Sequence, residues 1–388
     1  MDQLAIHGGT PVRATPFPTS ALGVSMYDER EAEALAAVVA SKTPFRHYGV
    51  GTPHWADDFE AMCRDYFGRR FALAVSSGTG ALFCAVAGLG VGPGDEVILP
   101  AFGWYSDALA VTNMGATPVY ANVDETLGLD PDDFARKITK KTKAAIAIGF
   151  QGAAPDMDGI VSVARRFGVP IIEDVAQAFG GEYEGRKLGS IGEAAIASFQ
   201  QNKMLCCGEG GLFLTDDEAI FARAARFHDL GMLRPVFASQ VSEELHGDPS
   251  PDGRYAQYRM TEFQSAVMVT QMEKLDGILQ ACRNKSETIR AAFRDNPHFT
   301  FRHAEGDCGV GIFMLFPSRE EAGTFNRCLE AEGIPTGAKS ACRNLCPNID
   351  TDSVTDRYVA LPVGPQYTDA DVGDVVAGIQ KVLERLYA

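Results

Sequence analysis

From residue 71 onward the chain alternates short, uninterrupted apolar runs with longer stretches in which apolar residues recur every three or four positions. The runs predict strands at 71–75, 96–99, 117–122, 144–148, 171–173, 194–198 and 212–215, and the helical spacing predicts helices at 80–89, 106–114, 132–138 and 157–167. Strands buried on both faces need unbroken apolar runs, and their repetition with helices marks βαβ units around a mostly parallel sheet. Ahead of this block, 26–40 and 55–67 read as amphipathic helices, separated by a loop over 43–53 rich in Gly, Pro and aromatic residues. After it, 231–258 reads as a long polar loop, with Pro, Asp and Gly concentrated at 246–253. A strong helix follows at 261–284; the remainder mixes helices with strands such as 309–316 and ends in a helix at 369–386. The predicted architecture is α/β. An N-terminal arm and helix (1–54) precede a large domain (55–250) with a mostly parallel seven-stranded sheet flanked by helices. A linking helix and a smaller α+β C-terminal domain fill 251–388. No internal repeat or low-complexity tract interrupts the pattern.

Composition narrows the function. A chain of 388 residues can bury more than one core, and 46% hydrophobic with 22% charged residues is the balance of a globular protein without disordered tracts. A formal charge of −16 disfavours a phosphate-backbone partner, because that interaction depends on clustered cations, so nucleic acid is not expected. No apolar run approaches the roughly 20 residues that cross a bilayer, and the first residues do not read as a signal peptide. A cytoplasmic location without a membrane partner is expected. Nine cysteines, odd in number and scattered, fit reduced thiols. Neither Cys206-Cys207 nor the Cys342/Cys346 step has a second ligand pair at zinc spacing, so no metal is expected.

The candidate chemistry starts at Lys203, which lies between the apolar run 194–199 and the glycine-rich turn Gly208-Glu209-Gly210-Gly211. A lysine whose ammonium is disfavoured by burial or a nearby cation can form a Schiff base with an aldehyde cofactor. Alone, an ordinary loop lysine explains it better; three further segments change that. Ser76-Ser77-Gly78-Thr79 follows the first strand at a strand-to-helix junction, where free amides and the helix dipole favour a phosphate. It is neither a dinucleotide fingerprint nor a Walker loop. Asp174 closes the strand at 171–173, on the ligand side of an open α/β sheet, where it can pair with the protonated ring nitrogen of pyridoxal 5′-phosphate. Gln177 would then reach the ring's phenolic oxygen. Trp104, in the segment 100–107 after the second strand, offers an aromatic face for the ring.

Together these segments resemble the DegT/StrS type of pyridoxal-phosphate aminotransferases, which install amino groups on ketosugars and keto-cyclitols. The resemblance also takes in 92–100, 115–118 with Asp124, Asp156-Met157-Asp158, 173–178, the Ser198 to Lys203 spacing, 208–211 and Arg259-Met260-Thr261-Glu262, in order over roughly 25–285. It implies a fold-type I enzyme and makes Lys203 the Schiff-base lysine and proton shuttle, Asp174 the ring-nitrogen partner and Gln177 the phenolic-oxygen contact. It makes Gly78, Thr79 and Ser198 phosphate ligands and stacks Trp104 on the ring. It further implies a homodimer whose sites are shared, each completed by a neighbour's loop before Arg259. Two departures stand out. Gln257 occupies a position that usually carries a phosphate-touching Asn. After Gly333-Ile334, residues 335–343 replace a His-Tyr stretch common in members acting on nucleotide-linked sugars. With Gln200-Gln201 and the 208–211 run, this points to free ketosugars, keto-cyclitols or aminohydroxybenzoate precursors.

The expected reaction is a two-stage transamination from an amino-acid donor, glutamate or glutamine, to a ketone acceptor in amino-sugar or antibiotic biosynthesis. Lys203 and Asp174 are its catalytic residues, and Tyr48, in the 43–53 loop, is the candidate for the acceptor pocket. A lyase, replacement or carbon–carbon bond-forming enzyme on the same scaffold is the alternative. A non-catalytic cofactor-binding regulator is disfavoured because both Lys203 and Asp174 are present. His228, His246 and His303 are isolated and read as surface or core histidines.

Overall fold

Every residue of the strand Phe71–Val75 (β1) is buried, and its side chains divide between two cores. Phe71, Leu73 and Val75 face one, Ala72 and Ala74 the other. That period of two, without any polar residue, is what a sheet covered on both faces requires. The computed structural model describes residues 3–19, 21–247, 253–303, 305–337 and 342–387. Six further strands complete the sheet: Glu96–Pro100 (β2), Thr117–Ala121 (β3), Thr142–Ile148 (β4), Ile171–Asp174 (β5), Ala194–Ser198 (β6) and Gly211–Thr215 (β7). Their order is β1-β7-β6-β5-β4-β2-β3. All pairings are parallel except those of β7, which runs antiparallel to both β1 and β6.

Helices cover both faces. Gly78–Gly88 (α3), Ser106–Asn113 (α4) and, after two others on the opposite face, Glu218–His228 pack with Leu73, Ile146 and Phe213. Trp55–Phe67 (α2), Pro131–Lys137 (α5) and Met157–Phe167 (α6) pack with Ala72, Ala147 and Leu212 on the other. The 31-residue helix Glu262–Ala292 joins that second layer, and it is longer than the expected 261–284. With Glu218–His228 as α7, this long helix is α8. Its first half and middle bury Met268, Met272, Leu275 and Leu279 in the large core. Its last turns place Ile289 against a separate core built by the three-stranded antiparallel sheet Thr300–Phe301, Gly311–Leu315 and Tyr358–Pro362 and the helices Arg319–Ala331 (α9) and Asp369–Leu386 (α10).

The segment expected as an arm with the first helix divides in space. Leu4 joins the C-terminal core, and Arg13 pairs with Asp371 at 2.6 Å. Helix Glu29–Ser41 (α1) instead packs on α8, where the Glu31 carboxylate meets Lys274 Nζ at 2.7 Å and accepts a hydrogen bond from the Gln271 amide. The edge strand β1 is not left open. Glu60 accepts the Ala74 N–H at 2.7 Å, Arg46 donates to the Ala74 carbonyl, and Tyr258 O accepts the Ser76 N–H. Unpaired strand edges are thereby covered from inside the same chain.

Candidate active site

The antiparallel register of β7 assembles the site. Val75 lies across from Gly211, and Gly211 across from Ser198, so the segment after β1 and the end of β6 meet at one edge of the sheet. The approach is close enough to dictate glycine at two positions. A Cβ on Gly211 would lie 2.2 Å from the Ser77 carbonyl oxygen, and one on Gly78 would lie 2.5 Å from Ser198 Cβ. Ser77 caps α3, accepting the Gly80 N–H at 3.0 Å, and the helix starts at Gly78, next to Ser198. Small residues, two hydroxyls and a helix start form a cup of the kind that holds a phosphate.

This cup is one end of a cavity of about 490 Å³ whose lining includes Ser77, Gly78, Thr79, Trp104, Asp107, Asp174, Gln177, Ser198 and Lys203. Asp174 is only 6% exposed and accepts the Ala176 N–H at 2.8 Å. Burial pushes its carboxyl above the ordinary range, opposed by that N–H, by Lys203 and by the Asp107 carboxyl beside it. Lys203 closes a turn after β6, its N–H bonded to the Gln200 carbonyl at 2.9 Å. Desolvation lowers its pKa from the ordinary lysine value, with Asp174, Cys342 and Asp107 acting in the opposite direction. The result is an amine easier to deprotonate than a surface lysine, as Schiff-base chemistry requires. Trp104 is 40% exposed at the cavity wall and packs on Tyr105 with ring centroids 4.4 Å apart.

The fit to a pyridine-ring aldehyde phosphate can be tested on polar atoms that lack partners. Among the described residues, Gln177 Oε1 and Asp107 Oδ1 are buried with no hydrogen-bond partner, and both residues line this cavity. Buried polar atoms are normally paired, so orphans converging on one cavity indicate a polar group that completes it. The remaining polar lining includes Gln151, Gln200, Asn202 and Glu209, suited to a hydroxylated ligand. A wider groove of about 780 Å³ between α8 and α10 carries no comparable convergence of groups.

Seven of the sequence candidates, Gly78, Thr79, Trp104, Asp174, Gln177, Ser198 and Lys203, therefore line one space. Tyr48 and Gln257 are not among the residues lining it in the single chain. Tyr48 is 68% exposed and packs edge-on against Phe45, while exposed Gln257 forms a β-bridge with Asp229. Of the divergent segment 335–343, residues 338–341 lie outside the described residues. Sequence reasoning missed Asp107 and Cys342. Asp107 lies in the quoted segment 100–107 but carried no motif, and Cys342 comes from the far C-terminal part of the chain. Its thiol, pushed up to about 11 by burial, stands 3.7 Å from Gln177 Nε2.

The model of the DegT/DnrJ/EryC1/StrS aminotransferase family matches residues 27–380. The chain belongs to that family. It is a family of pyridoxal-phosphate-dependent aminotransferases, so the DegT/StrS resemblance drawn from the motifs holds over nearly the whole chain. Solved family folds superpose closely. S. venezuelae DesV is 27% identical with a TM-score of 0.78, covering 96% of this chain and 100% of that one. A 3-amino-5-hydroxybenzoic acid synthase is 24% identical with a TM-score of 0.80, again covering 96% and 100%. The PMP form of Spr1654 from Streptococcus pneumoniae is 21% identical with a TM-score of 0.79, covering 96% and 98%. Among the described residues no helix is long and apolar enough to cross a membrane, and no group of three or more His, Cys, Asp or Glu could hold a metal ion.

Proposed function

We propose that this chain holds pyridoxal 5′-phosphate in the cavity between β1, β5 and β6 and transfers an amino group from glutamate or glutamine to a ketone on a free ketosugar, keto-cyclitol or aminohydroxybenzoate precursor. The observation that carries the reading is the amine of half-buried Lys203, sharing one cavity with the buried carboxyl of Asp174 and the Gly78–Ser198 cup. When bound, the cofactor supplies an aldehyde that links to amines and a ring that takes up the electron pair released at the donor's Cα.

The protein's own residues do the rest. The Ser77–Thr79 amides and hydroxyls with Ser198 hold the phosphate, and Asp174 keeps a proton on the ring nitrogen. Gln177 contacts the phenolic oxygen, and Trp104 confines the ring face. Lys203 Nζ would hold and move the proton at the donor's Cα, a role suited to an amine held in place with a lowered pKa. Gln151, Gln200, Asn202 and Glu209 offer hydrogen bonds to acceptor hydroxyls. The exposure of Tyr48 and Gln257 supports a homodimer in which each loop reaches a neighbour's cavity. Nine free thiols fit a reducing cytoplasm.

Lys203→Ala should bind the cofactor yet lose its Schiff-base absorbance and all turnover. Normal turnover by that variant would refute the assignment. The acceptor class is read by mixing the amine form of the cofactor, on the enzyme, with free and nucleotide-linked ketones. Consumption only by nucleotide-linked ketones would overturn the acceptor assignment.

A further inference from the structure

Asp107 is 1% exposed, on the second residue of α4, and lines the same cavity as Asp174 from β5, itself 6% exposed, with the two carboxyls near enough to interact. Two carboxyl groups in contact inside a protein cannot both be ionised without a large repulsion, so such a pair retains a proton that belongs to both. The surrounding groups decide where it sits. Asp174 receives the Ala176 N–H at 2.8 Å and faces Lys203. Asp107 Oδ1 is buried with no partner, although Asp107 also feels Lys203 and its own position in the first turn of α4, both of which favour its anion. Cys342 faces Lys203, and its thiol is held neutral by burial. An unpartnered buried oxygen is far less costly on a neutral acid than on a carboxylate.

We propose that Asp107 and Asp174 hold one proton between them, Asp107 as the neutral acid donating to the Asp174 carboxylate, and that Asp107 thereby positions Asp174 and sets how strongly it attracts the cofactor's ring nitrogen. The second half rests on the cofactor reading above. Asp174 has acceptor capacity for all three donors at once: the Ala176 amide, the Asp107 hydroxyl and a ring N–H. Asp107 touches Asp174 and acts through it, so it is a positioning residue. Without its donor, Asp174 would become more basic and draw the proton away from the ring nitrogen, weakening the ring as an electron sink.

The test separates the two halves. Cofactor-free protein labelled with ¹³C-aspartate is compared by infrared difference spectroscopy with Asp107→Asn at neutral pH. A protonated-carboxyl band that shifts with the label and is lost in the variant is expected; its absence from the difference spectrum overturns the shared proton. Pyridoxal 5′-phosphate is then titrated into both and into Asp107→Leu, which fills the space without a donor. Asp107→Asn, which keeps a donor, should bind within about 3-fold of wild type. Asp107→Leu should bind about 10-fold more weakly, and the pH midpoint of the bound cofactor's visible absorbance should rise by about one unit, a tenfold change in proton affinity. Wild-type affinity and midpoint in Asp107→Leu would overturn the positioning role. If wild-type protein gives no visible band with the cofactor, the cofactor reading fails and the positioning role with it, while the infrared comparison still decides the proton.

Discussion

Glu173 and Asp174 are adjacent in sequence and opposite in task. Strand alternation sends Glu173 away from the cavity, where its carboxylate accepts the N–H groups of Gly189, Ile191 and Gly192 at 2.6–2.8 Å and fixes the loop ahead of β6. Asp174 faces the cavity. Replacing Glu173 with Ala would leave three N–H groups without their acceptor and is expected to cost about 3–5 kcal/mol in chemical denaturation, with the cofactor's absorbance maximum unchanged. Asp174→Asn should do the reverse, keeping stability within about 1 kcal/mol while turnover falls about 100-fold or more, as for loss of a key electrostatic partner. A spectral change in the first variant, or near-normal turnover in the second, would contradict this division. At this scale the convergence of Lys203, Asp174 and Gly78 on one cavity was legible because each sits in a short local pattern. Asp107 was not, because an acid in a helix's first turn usually serves only the dipole, and its contact with Asp174 depends on how α4 packs on the sheet.

Among elements, α1 and α8 are joined by a buried charge. Burial pushes the Glu31 carboxyl up, but the Asp28 N–H, Lys274 and Gln271 outweigh it and hold it below its ordinary value of 4.5. A carboxylate with a lowered folded pKa stabilises fully above the unfolded value, and that contribution is lost as pH falls through the folded one. Glu31→Gln should therefore be less stable at neutral pH by about 1–3 kcal/mol, with Asp28 still near Lys274 at 3.1 Å, and should lose less stability than wild type on acidification below 4.5. Parallel urea-stability curves for the two proteins from pH 6 to pH 3 would argue against this. All seven central strands were readable as apolar runs, and 71–75 and 194–198 match the observed bounds. The reversed direction of β7 was not readable, because a strand buried on both faces has the same pattern whichever way it runs. Helix α8 continues past 284 because its last turns keep Ile289 inside the second core, a tertiary partner invisible to local periodicity.

Over the whole molecule, α8 is the shared beam of two cores. At about 1.5 Å per residue its 31 residues reach about 46 Å, enough to run through the large core and into the C-terminal one. Asn284 is exposed and lies between Cys282 in the first core and Ile289 in the second. Asn284→Pro should break the beam at a cost of about 3 kcal/mol or more and split a single calorimetric transition into two, whereas Asn284→Ala should keep one. A single transition in the proline variant would show that other contacts, such as the N-terminal arm at Asp371, suffice to couple the cores.

The reversed strand also gives the site a birth order. The first half of the phosphate cup leaves the ribosome with β1, and the second with β6, but the ribbon that bridges them, 211–215, is made last. A nascent chain stopped before residue 211 carries Ser77, Gly78, Thr79 and Ser198 but not the strand that pairs with both β1 and β6. On the proposed reading, a ligand that needs both halves of the cup can favour folding only once that last strand has been made.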